Sequence, residues 1–124
     1  MDGRIVDGLL RSEAERHLDL DAVTGVSGSG PAYVFHLAEA LIAAGVSHGL
    51  SPEVADALAR QTLLGAARLL SESGEDPAIL RENVTSPGGT TAAGLAVLGE
   101  ADFVGLIDQV VGAATARSVE LGAS

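Results

Sequence analysis

Residues 31–46 decide the fold of this protein, and they read PAYVFHLAEALIAAGV. Nearly every position is apolar, and the polar positions His36, Glu39 and Ser47 fall close to one line along a helix. The spacing predicts a helix with only a thin polar stripe. In a small domain, a helix that is apolar nearly all round must be covered on several sides. The stretch therefore indicates either a central position in the domain or contact with a partner chain.

Start and stop signals predict further helices on the C-terminal side of this stretch. Ser51 and Pro52 supply an N-cap and a proline at the first helical position, and Asp76 and Pro77 repeat that signal. Asp102 can cap a last helix. The predicted spans are 52 to about 70 before the stop at Gly74, 77 to about 84, a helix opened by the loop 85–91 and running through 98, and 103–121.

No sustained period-2 run of β-branched residues occurs in the sequence, so it predicts an all-α bundle of five or six helices. Tyr33, Phe35 and Phe103 are its aromatic residues, which leaves Ala, Leu, Val and Ile to build a closely packed core. Several glycines lie inside predicted helices, where each costs about 1 kcal/mol relative to alanine. Close approach of helices would offset that cost. These glycines are Gly45, Gly65, Gly94, Gly105 and Gly112.

Composition and charge exclude several classes of function. Seventeen acidic and seven basic residues give a formal net charge of -10, which disfavours nucleic acid and anionic membranes as partners. The absence of cysteine excludes disulfides and thiolate metal sites, and three separated histidines give no metal-ligand spacing. No secretory signal follows Met1, and no apolar run reaches the roughly 20 residues of a spanning helix. We expect a cytoplasmic protein with no metal site.

Residues 1–20 differ from the remainder of the chain. They carry mixed charge and a weak helical pattern, with Ile5, Leu9 and Leu10 on one side. The pattern predicts a leader, a short helix or a remnant of an interdomain segment. Residues 21–124 are predicted to form one helical domain.

Gly25 to Pro31 is predicted to be a loop that feeds a helix starting at Pro31. The segment does not fit a dinucleotide fingerprint, because Tyr33 replaces the third glycine and no strand precedes it. It lacks the lysine of a phosphate-binding loop, and Ser27 does not lie in a nucleophile elbow. A structural helix cap is the favoured interpretation.

Ser86, Gly88, Gly89, Thr90 and Thr91 form a second loop, which places backbone N–H groups and hydroxyls at a helix N-terminus. The helix dipole adds about half a positive charge there, so a small carboxylate would fit. The loop contains no acid or base for proton transfer. A capped helix without a ligand explains the same residues, and the residues alone leave both interpretations open.

Other polar groups give weaker signals. His36 and Glu39 could pair three residues apart, although a partly buried, hydrogen-bonded histidine is the commoner outcome. Asp56 and Arg60 are spaced for an ion pair on a helix surface. An acidic cluster is expected to be a solvated helix end. It contains Glu72, Glu75 and Asp76.

The sequence resembles the C-terminal domain of the pyrroline-5-carboxylate reductases, the enzymes that make proline. The similarity runs from about Asp21 to Leu121 and rests on three stretches. They read DAVTGVSGSGPAY at 21–33, LLGAA at 63–67 and NVTSPGGTT at 83–91, the last followed by Gly94 and Leu95. Two long motifs in the correct order are a more specific signal than either loop alone.

The resemblance implies a helical domain of the C-terminal-domain type of the 6-phosphogluconate dehydrogenase-like superfamily, intertwined with a second copy in a homodimer. Some family members assemble their dimers further. In the family, a Rossmann domain precedes this one and brings NADPH or NADH to the substrate. Its glycine-rich fingerprint is missing here, so we expect this chain alone to bind no cofactor and to show no turnover.

The resemblance also implies roles for the second loop. Ser86 and the backbone of Gly88, Gly89 and Thr90 match the cradle for the carboxylate of 1-pyrroline-5-carboxylate or proline. Thr91 matches the hydroxyl that hydrogen-bonds the ring nitrogen, and it is the expected catalytic residue. The implied reaction is hydride transfer from the nicotinamide to the imine carbon. The motif at 27–31 is implied to lie under the cleft between the two domains and to support its geometry.

Two other interpretations of the function are compatible with the sequence. One is a non-catalytic helical dimerisation module that binds proline-like anions or a separate nucleotide-binding chain. The other is a fragment of a hydroxyacid dehydrogenase, which is disfavoured because those enzymes use a catalytic lysine and this chain has none.

Overall fold

A computed structural model describes residues 19–123, which form six α-helices and one π-helical turn and contain no strand. The all-α prediction is confirmed. The predicted features of residues 1–18, including Ile5, Leu9 and Leu10, lie outside the described residues. The elements are α1 (Leu20–Val23), the π turn (Thr24–Gly28), α2 (Gly30–Ser47), α3 (Pro52–Ser73), α4 (Pro77–Asn83), α5 (Thr90–Glu100) and α6 (Phe103–Ala123).

Side-chain caps fix where α3 and α4 begin, as predicted. Ser51 Oγ accepts a hydrogen bond from the Val54 amide at 3.2 Å, and Pro52 is the first residue of α3. Asp76 Oδ1 accepts from the Ala78 amide at 2.8 Å at the start of α4. Each cap satisfies an amide that has no partner inside its helix. The start signals in the sequence are therefore confirmed.

Residues close in sequence also fix where α3 ends and where α6 begins. Helix α3 continues to Ser73, three residues past the predicted end, and stops because Gly74 adopts a left-handed conformation with φ 65°. Asp102 Oδ1 accepts from the Gly105 amide at 3.2 Å and so caps α6, as predicted.

The described residues divide into two compact units, and the first comprises 19–30 and 107–123. Within it, the loop predicted at 25–31 is wrong, because the chain is helical from Leu20 to Gly28. The helix start predicted at Pro31 is confirmed to within one residue, since α2 begins at Gly30. The Ser29 amide donates to the Thr24 carbonyl at 2.9 Å, five residues back, which is the hydrogen bond of a π turn. Ser27 Oγ donates to the Val23 carbonyl at 3.1 Å. These bonds let the backbone stay helical across a glycine-rich segment.

Gly25 lies at a close contact between helices in this unit, and it is buried. A β-carbon added to Gly25 would lie 2.6 Å from Thr115 Oγ1 and 3.0 Å from the Val111 carbonyl oxygen. Ser118 Oγ also donates to Asp21 Oδ1 at 2.7 Å, joining residues that are 97 positions apart. A hydrogen bond and a glycine contact therefore hold the π turn and α1 against α6.

The second unit comprises Pro31–Leu106, and almost none of its apolar surface is buried. Its buried residues are Ala55 and Ala59, which are 3% and 5% exposed. In α2 no residue is buried, and Phe35 is 68% exposed. The proposed central position of this helix within its own chain is therefore wrong. The alternative from the sequence, a helix covered by a partner chain, remains.

The glycines inside helices differ in their surroundings. A β-carbon on Gly45 would lie 3.1 Å from Ala55 Cβ, so the predicted close approach is confirmed there for α2 and α3. Gly105 lies against the Asp102 carboxylate that caps its helix. The remaining three have open space where a β-carbon would go, so the single chain gives no packing reason for them. They are Gly65, Gly94 and Gly112.

None of the individual helices in residues 19–123 combines the length and the apolar composition of a membrane span. Taken together, the consecutive helices α5 and α6 have the length and apolar composition of a span, but the chain bends by 54° between them.

Candidate functional site

The loop before α5 is a tight turn built by proline and glycine. The Gly89 amide donates to the Ser86 carbonyl at 3.0 Å, and Gly88 has a φ of 72°. Proline at the second position and a glycine with positive φ at the third are the residues that a type II turn requires. A β-carbon on Gly89 would lie 3.2 Å from the Ser86 carbonyl oxygen, so glycine is also favoured by space at that position. The turn is therefore specified locally, before any ligand binds.

Helix α5 begins without a side-chain cap. Its N-cap is Gly89, with extended backbone angles of φ -87° and ψ -174°, and no side chain accepts from the first amides. The amides of Thr90, Thr91 and Ala92 open the helix and have no acceptor within it. By contrast, carboxylate or hydroxyl oxygens accept from the first amides of α1, α3, α4 and α6. The N-terminus of α5 therefore combines unsatisfied donors with the positive end of a helix dipole.

Hydroxyl groups surround this helix end and are free to bind. Ser86, Thr90 and Thr91 are exposed, and their hydroxyls make no hydrogen bond within the described part of the chain. Thr85 differs, because its Oγ1 donates to the Arg81 carbonyl at 2.6 Å. Residues 85–92 contain no titratable side chain. The arrangement can bind and orient an anion, but it supplies no acid or base of its own.

The predicted site residues Ser86, Gly88, Gly89, Thr90 and Thr91 all lie in this turn and the first turn of α5. One detail differs from the sequence prediction. The Gly89 N–H is already bonded to the Ser86 carbonyl, so in this conformation it is not available to a ligand. Pro87 followed by Gly88 is the signal that could have shown this, because that pair predicts a turn closed by the residue after it. The backbone donors that remain come from α5 itself.

The motif at 25–31 does not form a ligand-binding loop in this structure. Its backbone is helical, and the Ser27 hydroxyl is occupied by the Val23 carbonyl. A dinucleotide site needs a glycine turn between a strand and a helix, and residues 19–123 contain no strand. Residues 25–31 therefore do not form a dinucleotide-binding glycine turn.

The remaining polar candidates lie on the surface. His36 Nδ1 is 3.2 Å from Glu39 Oε1, with side-chain exposures of 85% and 76%, so the expectation of a partly buried histidine is wrong within this chain. Arg60 Nε is 2.9 Å from Asp56 Oδ2, which confirms that pair. The cluster of Glu72, Glu75 and Asp76 is exposed, as predicted. Within the described ranges, no three acidic or histidine side chains are grouped to hold a metal ion.

Comparison with known proteins places this helical domain in a family. The family model described as pyrroline-5-carboxylate reductase dimerisation matches residues 17–121. The chain belongs to that family. Its relatives include the pyrroline-5-carboxylate reductase of Synechocystis sp., 55% identical over 83% of this chain and 39% of the relative. The reductase of Arabidopsis thaliana is 52% identical over 84% of this chain and 38% of the relative.

Solved structures of the family share the fold. The Plasmodium falciparum pyrroline carboxylate reductase with NADP bound matches 84% of this chain and 42% of that chain, with a TM-score of 0.79 and 40% identity. The Coxiella burnetii pyrroline-5-carboxylate reductase matches with a TM-score of 0.78 and 42% identity, over 82% of this chain and 37% of that chain. The chain therefore spans about two-fifths of the length of the proteins that it matches, and it corresponds to their C-terminal part.

Proposed function

We propose that this chain is the dimerisation and substrate-carboxylate-binding half of a pyrroline-5-carboxylate reductase. The whole enzyme would reduce 1-pyrroline-5-carboxylate to L-proline with NADPH or NADH. The observation that carries the proposal is the uncapped N-terminus of α5, where free amides and the hydroxyls of Ser86, Thr90 and Thr91 are exposed together. Family membership and the names of the relatives support the assignment.

The proposed binding mode follows from the chemistry of this helix end. A carboxylate accepts hydrogen bonds from the amides of Thr90 and Thr91 and from the Ser86 hydroxyl, and the dipole of α5 favours its negative charge. Charged acceptors strengthen such bonds relative to neutral ones. Because Gly88 and Pro87 hold the turn in place, little entropy is lost when the anion binds. The loop thereby fixes one end of the substrate.

Thr91 is the proposed catalytic residue. Its hydroxyl is exposed on the first turn of α5, one residue beyond Thr90, and can hydrogen-bond the ring nitrogen of a bound pyrroline. Orienting the imine in this way places its carbon for hydride attack. In well-aligned cases such orientation lowers the activation barrier by on the order of 7–11 kcal/mol. The nicotinamide supplies the hydride when it is bound by the whole enzyme.

We expect the nucleotide to be held by residues outside 19–123, because residues 19–123 contain no strand to support a dinucleotide-binding turn. Without an aligned hydride donor, the lowering of the activation barrier that comes from orienting the reactants is lost. We therefore expect the 124-residue chain to show no measurable turnover of 1-pyrroline-5-carboxylate with NADPH or NADH.

Dimerisation is the second part of the proposal, and the exposed apolar surface supports it. Val104, Phe35 and Val97 are 80%, 68% and 64% exposed, and no large apolar side chain in the described part is buried. A monomeric domain seldom leaves so much apolar surface in water. Sedimentation equilibrium should give a mass of twice 12.4 kDa at micromolar concentration and neutral pH. A mass of one chain would contradict this half of the proposal.

Calorimetric titration with L-proline tests the substrate site without the cofactor. We expect weak binding to the wild-type chain and, because Thr91→Ala removes one hydrogen bond, an affinity about tenfold lower in that variant. Thr91→Ser retains a hydroxyl at the same position and is the matched control, which should stay within about threefold of wild type.

The same titration separates the two functional hypotheses. If the dimer forms but millimolar proline gives no heat, the chain is a dimerisation module without a working substrate site. If Thr91→Ala and Thr91→Ser lose affinity equally, the hydroxyl has no part in binding and the role assigned to Thr91 is wrong.

A further inference from the structure

A short connection joins α4 to α5 and carries the candidate substrate site, and hydrogen bonds hold it at both ends. At the α5 end, the Gly89 amide donates to the Ser86 carbonyl at 3.0 Å. At the α4 end, the Thr85 amide donates to the Glu82 carbonyl at 3.0 Å. The Thr85 hydroxyl also donates, to the Arg81 carbonyl at 2.6 Å. Thr85 is therefore held to α4 by its backbone and by its side chain.

The hydroxyl of Thr85 takes the place of a helical amide at the end of α4. In a continuing α-helix, the amide of residue 85 would donate to the Arg81 carbonyl, four residues back, but here it donates to Glu82 instead. The Arg81 carbonyl accepts a long bond of 3.3 Å from the Val84 amide and the much shorter bond from the Thr85 hydroxyl. Because χ1 of threonine is stiff, a bond from Oγ1 also restricts the backbone that carries it. The hydroxyl therefore fixes the direction in which the chain leaves α4.

Ser86 follows Thr85 directly, so the position of Ser86 depends on that direction. Its hydroxyl is exposed, and its carbonyl closes the turn that ends at Gly89. The bonds of Thr85 hold the chain on one side of Ser86, and the turn holds it on the other side. The Ser86 hydroxyl is thus placed relative to the first amides of α5 before an anion arrives. A group that is fixed in advance loses less entropy when its ligand binds.

Thr85 differs in role from the other hydroxyl residues of this loop. The hydroxyls of Ser86, Thr90 and Thr91 are exposed, whereas Thr85 is partly buried and its hydroxyl already donates to Arg81. A hydroxyl carries one proton, so Thr85 cannot donate to a carboxylate without giving up the Arg81 carbonyl. Any contribution of Thr85 to binding is therefore indirect.

We propose that Thr85 is a positioning residue of the substrate site. Its hydroxyl, bonded to the Arg81 carbonyl, holds the Ser86 hydroxyl where it can donate to the carboxylate of a small ring acid. Thr85 acts through Ser86 and does not touch the ligand. The inference rests on the substrate site proposed above, and it adds a residue that the site needs but that makes no contact with the substrate.

Calorimetric titration with L-proline, well below the Tm, tests this role. Thr85→Val keeps the branched shape but removes the hydroxyl, and it should lower the affinity about fivefold. Thr85→Ser restores a hydroxyl and should stay within about twofold of wild type. Thr24→Val is the matched control, because Thr24 Oγ1 makes the same kind of bond, to the Leu20 carbonyl at 3.1 Å, in the first unit. It should leave the affinity unchanged.

A double-variant cycle with Ser86→Ala separates positioning from a general loss of stability. If Thr85 acts through the Ser86 hydroxyl, Thr85→Val has nothing left to misplace once that hydroxyl is gone. Its effect on affinity should then fall from about fivefold to less than about twofold in the Ser86→Ala background. A fivefold effect in both backgrounds would refute positioning through Ser86.

Thermal unfolding of each variant shows that the titrated protein is folded. Should Thr85→Val unfold below the titration temperature, Thr85→Ala removes the same hydroxyl and takes its place in the cycle. A wild-type chain that binds proline, with Thr85→Val binding equally well, would overturn the inference and leave the substrate site standing. A wild-type chain that gives no heat with millimolar proline would refute the substrate site itself, and the role of Thr85 with it.

Discussion

Replacing Gly25 with alanine should destabilise the first unit, although alanine is normally the better helix residue. The added methyl group would lie 2.6 Å from Thr115 Oγ1, 3.0 Å from the Val111 carbonyl oxygen and 3.3 Å from Val111 Cγ1. The threonine side chain can rotate away, but the backbone carbonyl belongs to α6 and cannot yield without moving that helix. The clash therefore opposes the gain in helix propensity.

The net effect can be worked out from three contributions. Alanine in place of glycine inside a helix favours folding by about 1 kcal/mol. Overpacking costs about 1–3 kcal/mol. If Thr115 turns away, its hydrogen bond to the Val111 carbonyl, 2.7 Å long, is lost at a cost of about 1 kcal/mol. The sum predicts a destabilisation of about 1–3 kcal/mol, or a fall in Tm of about 5–15 °C for a domain of this size.

Thermal unfolding followed by circular dichroism at one fixed protein concentration measures this effect. Gly112→Ala is the matched control on α6, because no atom lies within 4 Å of its added β-carbon, and it should raise the Tm or leave it unchanged. Combining Gly25→Ala with Thr115→Ala removes the nearest atom and should recover about 1 kcal/mol, with the contact to the Val111 carbonyl remaining.

A higher Tm for Gly25→Ala would refute this reasoning. It would mean that the π turn does not pack against α6 and that helix propensity alone governs the position. A double variant that unfolds at the same temperature as Gly25→Ala would show that Thr115 is not the group that clashes.

Two further substitutions test single features of the structure. Gly88→Ala should destabilise the chain by about 1–2 kcal/mol and weaken proline binding, because Gly88 has a φ of 72°, which strains alanine, and no atom lies within 4 Å of its added β-carbon. Asparagine tolerates this conformation, so Gly88→Asn should lose less stability in thermal unfolding and less proline affinity in calorimetry. Ser118→Ala should destabilise the chain by about 1 kcal/mol, because its hydrogen bond to Asp21 is lost. Asp21→Asn keeps an acceptor oxygen and should lose less stability. An unchanged Tm for Ser118→Ala would show that this hydrogen bond contributes nothing to stability.

Much of the helical pattern could be predicted from the sequence. Ser51 with Pro52, Asp76 with Pro77, and Asp102 mark helix starts that the structure confirms, because a cap joins atoms only two or three residues apart. The turn and the helix end of the candidate substrate loop are also contiguous in sequence, so their positions could be predicted, while the role of the loop in binding stays a prediction. In that loop, the turn that occupies the Gly89 amide is also a local feature, indicated by Pro87 and Gly88.

Features that depend on distant residues were decided only by the tertiary structure. The close contact between the segment that contains Gly25 and α6, some 90 residues away in the chain, could not be predicted from any local pattern. The exposure of α2 could not be read from its composition, because an apolar helix packs equally well against its own chain or a partner. The sequence by itself therefore determined most of the helices, their caps and the residue types of the loop before α5, but not the helical course of residues 24–28. Which surfaces meet, and which stay exposed in the single chain, was decided by packing, because packing joins residues that no local pattern connects.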